Sequence, residues 1–130
     1  MQNAISNMPN TKIQKFTDLY TWQSGHQLVL QIYEDTNSFP KAEMFGLTNQ
    51  MRRAAVSITS NIAEGFGRSS EKEKIQFYAI ARGSLTELQD QLIIAKDIRY
   101  LSDMAFDNLW QQSVTVHKLL NGLITSIRSK

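Results

Sequence analysis

A chain of 130 residues, 42% hydrophobic and 20% charged, suits one globular domain that buries roughly two-thirds of its extended-chain surface. Fourteen Lys and Arg against twelve Asp and Glu leave a net charge of +2, which permits an anionic partner without demanding one. The lack of cysteine excludes disulfides, zinc–thiolate centres and thiol catalysis. No apolar run approaches the ~20 residues a membrane span needs, and no leader-like segment opens the chain; the expected setting is the cytoplasm, away from membranes.

Six glycines and two prolines punctuate the chain, and no two-residue alternation runs between them, so strand content is expected near zero. Residues 1–15, MQNAISNMPNTKIQK, are polar and aperiodic; they read as a flexible arm before a single domain over 16–130. The first helix is expected from about Trp22 to Asp35, with Trp22, Leu28, Val29, Ile32 and Tyr33 on one face. It should stop in TNSFP, where Pro40 disfavours helical backbone at Phe39. Pro40 suits the first turn of a second helix that reaches about Phe66, with Gly46 as a candidate break and Leu47, Met51, Ala54, Ala55, Ile58 and Ile62 as its apolar stripe. Gly65 and Gly67 end it.

The third helix has a capping-box start, Ser70 with Glu73 reaching back. Its buried face, Phe77, Ala81, Leu85, Leu88, Leu92 and Ala95, runs to about Ile98. Ser102 and Asp103 open the fourth, whose stripe is Phe106, Leu109, Trp110, Leu120, Leu123, Ile124 and Ile127. Four helices joined by short loops predict an all-α, up-down-up-down antiparallel four-helix bundle.

At roughly 100° per residue, the second helix divides into three strips. Met51, Ala55, Ile58 and Ile62 form the core sector. Arg53, Ser57, Ser60 and Glu64 lie about half a turn away, with Gln50 and Asn61 at the edge. A third strip holds Arg52, Val56, Thr59 and Ala63, whose small apolar members need cover from another helix or another subunit. The polar residues admit three readings. They are solvated charge, or a structural network, or a site. The network is preferred: Arg52 or Arg53 pairs with Glu64 or Glu87, while Asn61 and Ser84 satisfy the remaining groups.

Enzymatic constellations are absent from the pattern. Neither His26 nor His117 follows a glutamate at Glu-x-x-His spacing, no serine is framed as a hydrolase elbow, and GFGRS at 65–69 lacks the Walker spacing and a preceding strand. A non-enzyme needing no metal or cofactor is expected. Arg68, Lys72 and Lys74 cluster after the second helix, with Lys41, Arg52 and Arg53 along it. Glu71 and Glu73 dilute that patch; repeated around an oligomer, it offers backbone-directed contact to RNA or DNA.

The segments QMRRAAVSI (50–58), NIAEGFGR (61–68) and ARGSLTELQDQL (81–92), with FTDLYTW (16–22), LVLQIY (28–33) and FP (39–40) upstream, closely resemble the 23S rRNA intervening-sequence protein family over about residues 16–101. Its members are small bacterial proteins, some encoded within insertions in ribosomal RNA genes, and most have no established activity. The resemblance implies a four-helix bundle assembling as a homopentamer. The family is also similar to the accessory protein of diversity-generating retroelements, which binds a reverse transcriptase and nucleic acid. Carried over by position, the pattern falls on Arg52, Arg53, Ser57, Asn61, Glu64, Gly65, Arg68, Arg82, Gly83, Ser84 and Glu87. Two departures stand out: Thr59 where relatives commonly have proline, and Arg99 where they have glycine, which is expected to move the end of the third helix.

The resulting expectation is a homo-oligomeric scaffold, by the resemblance a ring of five copies, associated with RNA or an RNA-handling protein; the alternative is a protein-partner adaptor without nucleic-acid contact. Arg52, Val56, Thr59 and Ala63 are the candidate subunit interface, with Arg52 pairing to a carboxylate across it.

Overall fold

The computed structural model describes residues 12–130; most of the expected arm, 1–11, lies outside the described residues. A single 3-10 turn, Phe16–Asp18, leads into α1 (Tyr20–Thr36), followed by α2 (Leu47–Phe66), α3 (Glu71–Asp97) and α4 (Asp103–Arg128). No strand occurs among the described residues. Helix contacts run round the bundle in chain order, α1 to α2, α2 to α3, α3 to α4 and α4 back to α1. This is the up-down-up-down bundle that short loops between amphipathic helices impose.

The core is assembled from one stripe per helix. Leu28 and Ile32, Met51, Ile58 and Ile62, Leu85, Leu88 and Leu92, and Leu109, Leu120 and Ile124 are all at most 1% exposed. Each such side chain contributes about 1.5–3 kcal/mol of transfer free energy. Phe77 does not belong to this core as expected; its neighbour Tyr78, 2% exposed, does. Phe77 instead lies beneath the Arg68 guanidinium, 4.7 Å from its ring centre.

Two glycines let the helices approach. A Cβ on Gly65 would stand 2.8 Å from a ring carbon of Tyr78, so α2 and α3 close tightly at this end. A Cβ on Gly25 would lie 3.1 Å from Thr59 Cγ2, which seats α1 against the third strip of α2.

Two helix starts differ from expectation, and the end of α3 falls near Ile98 as the pattern predicts. Pro40 does not begin α2: Lys41–Glu43 forms a separate 3-10 turn and Gly46 is the N-cap. Glu43 folds back so that its Oε1 accepts the Leu47 N–H at 3.1 Å, and a side chain at position 46 would meet that oxygen at 2.7 Å. At α3, Ser70 Oγ accepts the Glu73 N–H at 3.0 Å, while the Glu73 carboxylate turns towards Arg68 at 3.8 Å rather than completing the box. Arg99 leaves the end of α3 near its expected place. It adopts φ 68°, and the Arg99 and Tyr100 N–H groups return to the Lys96 and Ala95 carbonyls at 3.0 and 2.8 Å. That is the Schellman pattern, with arginine in glycine's usual position.

Candidate functional site

The polar residues of α2 do not form one network. Arg52 is drawn to the C-terminal end of α1, where unsatisfied carbonyls favour a cation. Its Nε donates to Thr36 Oγ1 at 3.0 Å, and Nη2 to Asn37 Oδ1 at 3.2 Å and the Tyr33 carbonyl at 3.4 Å. The guanidinium also covers the Tyr33 ring at 4.7 Å. Arg53, on the outer side, is exposed. Among the described residues no ion pair joins Arg52 or Arg53 to Glu64 or Glu87. The reason is reach and competition: Glu64 lies one turn before Arg68 and takes that guanidinium instead, and Glu87 accepts from Gln91 Nε2 at 3.3 Å.

The uncharged members do meet. Ser57 and Ser84 share a hydrogen bond of 2.8 Å between α2 and α3. Asn61 Nδ2 donates to the Ser57 carbonyl and hydroxyl at 2.8 and 3.1 Å, closing a small bridge that fixes the register of the two helices. Arg82 points the other way, to Asn121 Oδ1 on α4 at 2.8 Å. Asn121 Nδ2 in turn lies 3.3 Å from His117 Nδ1. Gln89 Nε2 donates to buried Ser113 at 2.9 Å on the same seam. Neither Asn121 nor Ser113 was singled out in the sequence, where a polar residue inside an apolar stripe was the available signal.

The expected nucleic-acid patch is divided. Lys41 sits before α2, at the end of the bundle opposite Arg68, Lys72 and Lys74, so the four are not brought together. Arg68 is occupied by Glu64, Glu73 and the Phe77 ring. Lys74 Nζ donates to the Phe66 carbonyl at 2.7 Å and reaches the Gly65 carbonyl at 3.4 Å, satisfying the end of α2. Lys72 is the exposed member of the three, without an ion pair among the described residues.

The third strip is likewise shared between inside and outside. Arg52 and Thr59 face α1, Thr59 through its contact with Gly25. Val56 is 39% exposed and Ala63 half-buried. A groove of about 520 Å³ runs here, lined by Tyr33, Asn49, Arg52, Arg53, Val56 and Ser57. No group of three or more His, Cys, Asp and Glu side chains is arranged to hold a metal ion among the described residues, and no helix there is long and apolar enough to cross a membrane.

The fold and these surfaces define an all-α four-helix bundle protein in which Arg52, Ser57, Ser84 and Arg82 are engaged in helix-to-helix contacts. The chain belongs to the 23S rRNA-intervening sequence protein family, which it matches over residues 17–122. It is also similar to a protein of unknown function from the S23 ribosomal protein family of Bacteroides thetaiotaomicron VPI-5482, solved at 1.70 Å: 20% identity, 80% of this chain and 97% of that one covered, TM-score 0.72. At that identity the likeness concerns the fold. A comparison with curated proteins gives no match.

Proposed function

We propose that this chain is a non-enzymatic scaffold that works as a closed ring of identical copies, five by resemblance to its family. The observation that carries the proposal is the outer face of α1 and α2. Leu30, Tyr33 and Val56 remain 50%, 42% and 39% exposed there, beside a groove that holds Arg52 and Arg53 without a carboxylate. Apolar side chains grouped with Arg53, which has no ion pair among the described residues, suit a protein interface better than solvent. Val56→Glu is expected to release monomers while leaving each bundle helical, because Val56 stands outside the core. Sedimentation and circular dichroism of that variant test it, and an assembly unchanged by the substitution would remove this face from the account.

The family's name links such proteins to 23S rRNA intervening sequences, and we take RNA, or a protein that handles RNA, as the associated partner, met through phosphate contacts. One observation favours a second reading, a protein-partner adaptor without nucleic-acid contact. Arg68 and Lys74 are already held by Glu64 and by the end of α2. Phosphate contacts release counterions, so RNA binding must fall steeply as salt rises. Titration with single-stranded RNA at low and high salt decides between the readings; no binding at low salt selects the adaptor.

A further inference from the structure

The groove between α1 and α2 is basic and apolar, and α3 carries an acidic and apolar surface. From Leu47 to Ala63 the only charged residues of α2 are Arg52 and Arg53. From Ile75 to Ala95 the only basic residue of α3 is Arg82, and that one is bonded to Asn121 on α4. The acids of this stretch, Glu87 and Asp90, are exposed and enter no ion pair among the described residues. Ile80, Glu87 and Ile94 recur every two turns along one side of α3, and the two isoleucines are 51% and 41% exposed. Gly83 stands on the same outward side, and a Cβ there would meet nothing of its own chain within 4 Å. A mid-helix glycine weakens the helix and gains nothing inside this bundle; it allows another backbone to come close.

We propose that the groove of one copy receives the outer face of α3 from a second copy, with Arg53 of one meeting Glu87 of the next. This rests on the oligomeric reading above and names its contact. Charge favours unlike surfaces. Two grooves packed face to face would set Arg53 against Arg53, and two α3 faces would oppose Glu87 and Asp90, so a two-fold contact centred on either surface alone repels itself. A groove against an α3 face joins unlike charges and unlike surfaces. Such a head-to-tail contact repeats by rotation, and closes into a ring where that rotation divides a full turn. Gln91 Nε2 holds the Glu87 carboxylate from the next turn, and Arg52, committed to α1, shapes the groove rather than crossing it.

Arg53 and Glu87 of a single chain also flank one seam, each a turn away from the Ser57–Ser84 contact, so the test must separate pairing within a copy from pairing between copies. Arg53→Glu and Glu87→Arg are made singly, together in one chain, and as a mixture of the two single variants, with circular dichroism confirming each bundle. Sedimentation is expected to show each single variant at the 14.8 kDa monomer mass and the double variant assembled. The mixture is expected to form contacts that neither variant forms alone, which pairing within a chain cannot produce. Single variants that assemble like the unmodified protein, or a mixture that stays monomeric, overturn the proposed contact while leaving the scaffold reading standing. An unmodified protein that is itself monomeric overturns both.

Discussion

The Tyr100 hydroxyl donates to Glu43 Oε2 at 2.9 Å, tying the turn after α3 to the segment that starts α2. Glu43 accepts the Leu47 N–H with its other oxygen, and Tyr100 packs against Phe39 with ring centres 5.2 Å apart. One carboxylate thus caps a helix and clasps two loops at one end of the bundle.

The clasp gives stability a pH dependence at both extremes. The Leu47 N–H, and then the Tyr100 hydroxyl, hold the Glu43 carboxyl below its usual range. Its contribution is present above the pH where the unfolded carboxyl ionises and is lost as pH falls through the lower folded value. The bond to Glu43, and then burial, raise the Tyr100 phenol; burial raises Tyr78. Their contributions are present below the unfolded phenol's titration and are lost as pH rises through the folded values. Tyr100→Phe should lower the melting temperature near neutrality and flatten the alkaline loss, while Tyr78 keeps part of it. Much of the acid loss should persist, because Leu47 still holds Glu43. A variant whose melting curve matches the unmodified protein at every pH would show that the clasp contributes nothing.

Arg99 carries a backbone cost. A non-glycine residue in the left-handed region costs about 1–2 kcal/mol, and glycine returns part of that through the extra freedom of the unfolded chain. Arg99→Gly is therefore expected to stabilise the bundle by roughly 0.5–1 kcal/mol, a rise of a few degrees in thermal midpoint measured by calorimetry. A lower midpoint would mean the guanidinium makes a contribution the backbone argument omits.

Gly65→Ala should have the opposite sign. The new methyl would meet ring carbons of buried Tyr78 and the Phe77 Cβ at 3.0 Å or less, atoms that cannot swing aside. Overpacking of this kind costs about 1–3 kcal/mol, against a gain of ~1 kcal/mol in helix preference. Urea unfolding should give a lower midpoint. Gly83→Ala, which meets nothing of its own chain within 4 Å, should raise the stability of the isolated bundle.

The basic side chains near the α2–α3 turn should separate under charge reversal. Lys74→Glu removes the donor to the Phe66 carbonyl and should destabilise by on the order of 1–2 kcal/mol. Lys72→Glu should leave thermal stability within about 0.5 kcal/mol, as exposed surface changes generally do. Only Lys72→Glu therefore reports cleanly on RNA contact. Equal stability of the two variants would contradict the structural role of Lys74.

The bundle was legible in the sequence because apolar stripes with helical period leave few packing choices. Leu85, Leu88 and Leu92 were expected in the core and are wholly buried there. The Ser102 cap was readable too, since its side chain needs only a nearby N–H, here that of Ala105 at 3.0 Å. What the sequence did not specify was the destination of long side chains. Arg52 was expected to seek a carboxylate and instead found Thr36, Asn37 and the Tyr33 carbonyl, because the end of α1 lies within its reach. Glu43 gave no local sign of its role, since its partner Tyr100 is distant in the chain. The roles of Gly25 and Gly65 likewise depend on which atoms a neighbouring helix brings close.

A bundle that works as a ring of copies has a mass fixed by the number of its chains. Native mass spectrometry of the unmodified protein at micromolar concentration tests the ring most directly. A single assembly at five times the 14.8 kDa chain mass is expected; a 14.8 kDa monomer under those conditions would rule the ring out.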